Sequence, residues 1–278
     1  MPRMSAHDTR DPDAATARTA LASGQPTLLV EVVSARGSVP RGVGTRMLVG
    51  AEGVRGTIGG GHLEWQVLQR AQALLAQGGA PAAGWPLDWP VALGPSLGQC
   101  CGGALTLRLS PLDAAAVAAW TDPPVRLRLQ LHGAGHVGRA IVHLLADLPC
   151  EVLWVDERDK EFPSEPSPPH IARLVSEQAE AEVALGRPGD AYLVLTHRHD
   201  LDLRIVEAIL RRGDFGFCGL IGSATKRARF EHRLRERGIP ASSLSRLTSP
   251  IGLPGLSGKE PAVIALSVVA QLLQRTSG

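Results

Sequence analysis

The chain has 278 residues, room for one large or two ordinary domains, and 44% of them are hydrophobic, enough to fill globular cores. A net charge of +2 argues against a nucleic-acid partner held by bulk electrostatics, and an aromatic content of 4% leaves few platforms for stacked single strands. The four cysteines (Cys100, Cys101, Cys150, Cys218) lack disulfide-framework spacing, no charge-free stretch approaches a membrane span, and no apolar run follows the N-terminus, so a cytoplasmic protein is the expectation.

Met1 to about Asp11 is polar and expected to be disordered. Asp13 can cap a helix over Ala14–Ala22, ended by Gly24, and Thr27–Val33 reads as a buried strand. In the glycine-rich loop Ser34–Gly44, Arg36 and Arg41 either clamp a phosphate or sit solvated on a long hairpin connection. Return strands follow at Arg46–Val49 and Gly53–Thr57. Gly59, Gly60 and Gly61 then precede a helix that runs to about Gln77, a second place where backbone N–H groups could face an anion. Glu64 in its first turn is either a ligand contact or a cap. A strand is expected near Trp89–Leu93. Glycines flank Cys100 and Cys101 before a strand over Ala104–Leu109. Neighbouring side chains diverge in extended backbone, so one thiol could face a site and the other the core, or both could be small buried hydrophobes. A short helix over Asp113–Trp120 ends in Thr121-Asp122-Pro123-Pro124, which sets the expected domains at 1–122 and 123–278.

The second half begins with its most informative stretch. Leu127, Leu129 and Leu131 lead into Gly133-Ala134-Gly135-His136-Val137-Gly138, a helical pattern follows to Leu148, and Val152–Val155 stops at Asp156. Strand, glycine loop, helix, strand and acid form the order of a Rossmann-type unit. Gly133 permits the tight turn, Gly135 leaves room for a phosphate, Gly138 lets helix and sheet approach, and the helix N-terminus offers N–H groups and a positive dipole end. Gly133, Gly135, His136 and Gly138 are therefore candidate ligand residues, and Asp156 a candidate acceptor for ribose hydroxyls. Glu157–Pro169 is a charged, proline-rich loop, Ile171–Val175 an edge strand, and Glu177–Leu185 a short helix. Asp190–Thr196 is a buried strand ending in Thr196-His197-Arg198-His199-Asp200-Leu201-Asp202, where a parallel sheet presents ligand groups. His197 and His199 lack a third ligand at helical spacing, so ligand hydrogen bonding, or capping of the next helix by Asp200, is favoured over metal. A strand over Phe217–Ile221, a basic helix over Ala224–Arg237 read mainly as a solvated face, a stiff loop and an apolar helix over Glu260–Gln274 close the chain; Cys150 and Cys218 read as core.

Seven blocks, GSVPRGVGTRM (37–47), GTIGGGHLE (56–64), LGQCCGGALTL (97–107), HGAGHVGRAI (132–141), THRHDLD (196–202), GLIGSATKRARF (219–230) and SPIGLPGLSGKEPAVIALSVVAQLL (249–273), resemble the XdhC/CoxI family of xanthine dehydrogenase accessory proteins, in family order. The resemblance implies a mixed α/β N-terminal domain followed by a Rossmann-like doubly wound domain. It implies a cytoplasmic, homodimeric chaperone, an accessory protein rather than an enzyme, with the question of turnover left open. Such a protein holds the molybdenum cofactor (molybdopterin) while a cysteine desulfurase supplies the sulfido ligand, and delivers it to the molybdenum subunit of apo-xanthine dehydrogenase. Carried over by motif, Cys101 is the contact for molybdenum or a sulfur-transfer intermediate, with Cys100 beside it. Gly59, Gly60, Gly61 and Glu64 match the glycine turn, and His199 and Asp202 the Thr-x-x-His-x-x-Asp element. His62 stands where many members have cysteine. The alternative is an NAD(P)-dependent oxidoreductase using the Rossmann domain, against which stands the lack of a Tyr-x-x-x-Lys pair or any clear proton relay beyond 196–202.

Overall fold

A computed structural model describes residues 7–51, 53–77, 84–94, 102–122 and 124–276. The chain forms two compact units, Met1–Pro123 and Pro124–Gly278.

In the first unit a six-stranded mixed sheet has the order β1 (His7–Asp8), β4 (Gly53–Gly56), β3 (Arg46–Gly50), β2 (Thr27–Arg36), β6 (Ala104–Pro111), β5 (Leu87–Ala92). All pairings are antiparallel except β1 with β4. Strand alternation assigns the two faces. Leu28, Val30, Val32, Met47, Val49, Leu105, Leu107 and Leu109 join Leu63, Val67, Leu68 and Ala71 of α2 (Gly61–Ala76) in one core. Leu29 and Leu48 point the other way, toward Ala14 and Ala17 of α1 (Ala14–Ala22) and Trp120, just beyond α3 (Ala114–Ala118). Asp13 caps α1 as its sequence position predicts, accepting from Thr16 N. The expected disorder before Asp11 does not hold at His7–Asp8: these residues pair with Val54–Arg55, and His7 Nε2 lies 2.9 Å from Gly56 O.

The second unit is a six-stranded, wholly parallel sheet in the order β9 (Ile171–Val175), β8 (Cys150–Asp156), β7 (Leu127–His132), β10 (Ala191–Val194), β11 (Phe217–Leu220), β12 (Leu247–Thr248). Numbered within the unit this is 3-2-1-4-5-6. Both faces are covered, which is why every residue of β10 is buried. Leu127, Leu129, Leu131, Trp154 and Leu193 face α4 (His136–Leu145) and α8 (Pro261–Thr276). Val155, Tyr192 and Val194 face α5 (His199–Arg212), α6 (Ala224–Glu236) and α7 (Ala241–Leu244). The helix expected over 177–185 is shorter, a 3-10 turn at Ala181–Leu185 whose first bond runs from Ala181 N to Gln178 O. Cys150 and Cys218 are buried thiols, as expected, and burial pushes their pKa up to about 11 and about 12. Among the described residues no helix is long and apolar enough to cross a membrane.

Candidate functional site

In the second unit the strand order reverses between the parallel neighbours β7 and β10, and the loops leaving these strands meet there. A side chain at Gly133 (φ 124°) would lie 2.4 Å from Leu195 O, and one at Gly138 would lie 2.1 Å from Gly133 O. These two glycines thus serve loop contact and helix–strand approach. Gly135 differs: a Cβ there meets nothing within 4 Å, and as N-cap of α4 it supplies no side-chain acceptor. The open approach is over Gly135, beside the exposed His136. Trp154 Nε1 donates to Gly133 O at 3.0 Å and fixes the loop from below.

Asp156 ends β8 with only 2% of its side chain exposed. Its carboxylate accepts from Ala134 N at 2.6 Å, from Arg158 N at 2.9 Å, and from both ends of the Arg158 fork at 2.9 and 3.0 Å. Burial pushes its pKa up, but these hydrogen bonds and the Arg158 charge outweigh it and hold the carboxyl below its ordinary value. The next residue, Glu157, lies 3.3 Å from His197 Nε2 and 3.7 Å from the Arg198 guanidinium, joining the ends of β8 and β10. Val155, Asp156, Glu157, Thr196, His197 and Leu201 line a small cleft here.

Asp202 is fully buried. One oxygen accepts from Thr196 N at 3.0 Å and Thr196 Oγ1 at 2.7 Å; the other accepts from Lys226 Nζ at 2.7 Å, which also donates to Ile221 O at 2.9 Å. Asp202 therefore joins the β10–α5 loop to the β11–α6 loop. His199 is exposed as the first residue of α5. Asp200 does not cap α5: the N-cap is Arg198, and Asp200 pairs with Arg198 and Arg204. His132, at the end of β7, is wholly buried; Nε2 lies 3.0 Å from Gln130 Oε1, Nδ1 has no partner, and burial pushes the pKa down to about 3.

In the first unit three glycine-rich segments converge. A Cβ on Gly59 would lie 2.5 Å from Pro40, and one on Gly103 would lie 2.3 Å from Ser38 O and 2.6 Å from Arg36 O. Gly59, Gly60 and Gly61 all have positive φ, which L side chains rarely adopt. The N–H groups of Ile58, Gly59 and Gly60 are not left for an external anion; Gly59 N donates to Thr57 Oγ1 at 3.1 Å. Glu64 turns back and accepts from Ile58 N and Gly60 N, both at 3.1 Å, and from Thr57 Oγ1 at 2.5 Å. Arg41 pairs with Asp11. Cys100 and Cys101 lie outside the described residues; Gly102, next in sequence, is exposed. Among the described residues no cluster of His, Cys, Asp and Glu could hold a metal ion.

Among the described residues, those derived from the sequence thus fall into two groups. Gly133, Gly135, His136, Gly138, Asp156, His199 and Asp202 gather at the carboxyl ends of the parallel strands; Gly59, Gly60, Gly61 and Glu64 form one turn in the first unit. Arg158, Lys226 and His132 also stand at these strand ends, although none is among the residues the sequence marks as candidates. The first two carry a signal: each is a cation placed just beyond the C-terminal end of a parallel strand, at a loop or first helical turn.

Six parallel strands in the order 3-2-1-4-5-6, with a glycine loop and helix N-terminus at the reversal, define a Rossmann-type binding unit. Residues 129–272 match the family model described as the XdhC Rossmann domain, and residues 20–82 the model described as the XdhC and CoxI family. The chain belongs to the XdhC and CoxI family. It is 33% identical over 267 residues, 90% of this chain, to the uncharacterized protein YqeB of Escherichia coli (strain K12), and spans 43% of that protein's length. A crystal structure described as a xanthine dehydrogenase from Bacillus halodurans shares the fold at a TM-score of 0.72 and 20% identity, over 95% of this chain and 96% of the other.

Proposed function

We propose that this chain is an accessory protein for maturation of a xanthine dehydrogenase-type molybdenum hydroxylase, and that its cargo is the molybdenum cofactor. In this reading it is a cytoplasmic homodimer that performs no turnover of its own. It shields the cofactor while a cysteine desulfurase sulfurates it and then hands it to the apo-enzyme's molybdenum subunit.

The observation that carries this reading is the open helix N-terminus at Gly135, where a Cβ meets nothing within 4 Å, in a unit whose two buried carboxylates, Asp156 and Asp202, are already engaged. The N–H groups of the first turn of α4 orient the cofactor's phosphate. His136 and His199, both exposed, contribute polar contacts at the same strand ends. The chain's single tyrosine, Tyr192, is fully buried with its hydroxyl on Val183 O, so no proton relay for hydride chemistry runs through it. Cys101, with Cys100 beside it, supplies the thiolate that meets molybdenum or takes part in sulfur transfer.

The test is to purify the parent chain and Cys101→Ala with cofactor, count bound molybdenum, and measure activation of apo-enzyme. Cys101→Ala is expected to retain at most about a tenth of the parent's molybdenum, the loss of one strong ligand bond. Equal retention and equal activation would remove Cys101 from the mechanism.

A further inference from the structure

A dinucleotide-binding Rossmann unit needs the acid at the end of its second strand free to accept the ribose hydroxyls. Asp156 occupies that position but is not free. A carboxylate has about four lone-pair sites, and in Asp156 four donors fill them. Oδ1 accepts Arg158 N and Arg158 Nε, both at 2.9 Å; Oδ2 accepts Ala134 N at 2.6 Å and Arg158 Nη2 at 3.0 Å. Arg158 is steadied in turn by Glu161, 3.5 Å from its guanidinium.

We infer that the Rossmann crevice of this chain rejects nicotinamide dinucleotides and that Arg158 is the residue that decides it. A ribose diol reaching Asp156 must displace a bidentate, charge-assisted pair, the stronger kind of hydrogen bond, for two neutral ones. A 2′-phosphate fares no better, since it brings negative charge to a buried carboxylate while the nearest guanidinium is already committed. The ligand that suits the crevice offers a phosphate to the N-terminus of α4 and no vicinal diol to the end of β8. Arg158 acts here as a specificity determinant: it keeps Asp156 tied to the glycine loop through Ala134 and withholds it from sugars. The inference does not depend on the carrier reading; it holds for any ligand of this unit.

Titration of NADH fluorescence against the full chain tests it. The parent is expected to show no saturation up to roughly 1 mM. Arg158→Ala, which returns two acceptor sites to Asp156, is expected to bind NADH at least about tenfold more tightly, the scale of a hydrogen bond to a charged group. Arg158→Gln serves the same comparison if the Ala variant does not fold. Saturable binding of NADH by the parent below about 1 mM would overturn the exclusion. An Arg158 variant that keeps the parent's melting temperature and gains no affinity would overturn the assignment to Arg158.

Discussion

Replacing Lys226 with Ala is expected to destabilise the Pro124–Gly278 unit by about 3–5 kcal/mol, because it strands a buried charge. Asp202 has no exposed side-chain surface and Lys226 only 13%, so water cannot take over the lost partner. The cost comes from leaving Asp202 uncompensated rather than from the strength of the pair. Adding Asp202→Asn to Lys226→Met should therefore recover more than half of it, since the amide oxygen still accepts from Thr196 N. Hydrogen exchange of the β10 and α5 amides reports on this unit directly. A single-variant loss under about 1 kcal/mol would show that the pair is no more than a surface ion pair.

The second large effect is a pH dependence centred on His132. Burial pushes its pKa to about 3 in the folded chain, against 6.5 for the free side chain. The folded state holds the neutral ring, so the unfolded chain binds the extra proton between these values. Stability is then complete above pH 6.5 and falls as the pH drops toward 3. Between pH 7 and pH 5 the loss amounts to about 2 kcal/mol. The same exchange measurement at the two pH values, with His132→Leu as comparison, isolates it; the variant is expected to be nearly flat over this window. A parent without a slope would mean that the ring is protonated or hydrated in the fold.

The features legible in the sequence were those set by local chain chemistry. Alternation in 127–131, the glycine spacing at 133–138 and the apolar strand ending at Asp156 sufficed for the Rossmann unit, and Asp13 for the start of α1. What stayed hidden depends on where a side chain turns. Glu64 could have met a ligand or capped its own turn; the structure shows it folded back onto Ile58 N and Gly60 N. Asp156 sits at the ribose position, but whether Arg158 two residues later points away or folds over it depends on the loop after β8. Arg41 finds Asp11 thirty residues earlier, a contact no local pattern encodes. Lys226 looked like one more cation on a basic helix. Its place in the first turn of α6, beside the carboxyl end of β11, brings it inward to Asp202. The short strands His7–Asp8 and Leu247–Thr248 have too few residues to show alternation at all.

Trp154 is the only tryptophan of the Pro124–Gly278 unit; the other four precede it in the first unit. Its indole N–H rests on Gly133 O, the hinge of the glycine loop, and its ring meets Phe162 edge-on at 5.0 Å. The unit therefore carries its own optical reporter: any occupant that moves the loop alters the indole's hydrogen bond, and in a chain whose other four tryptophans are replaced by phenylalanine the emission of one buried chromophore reads the event without a label.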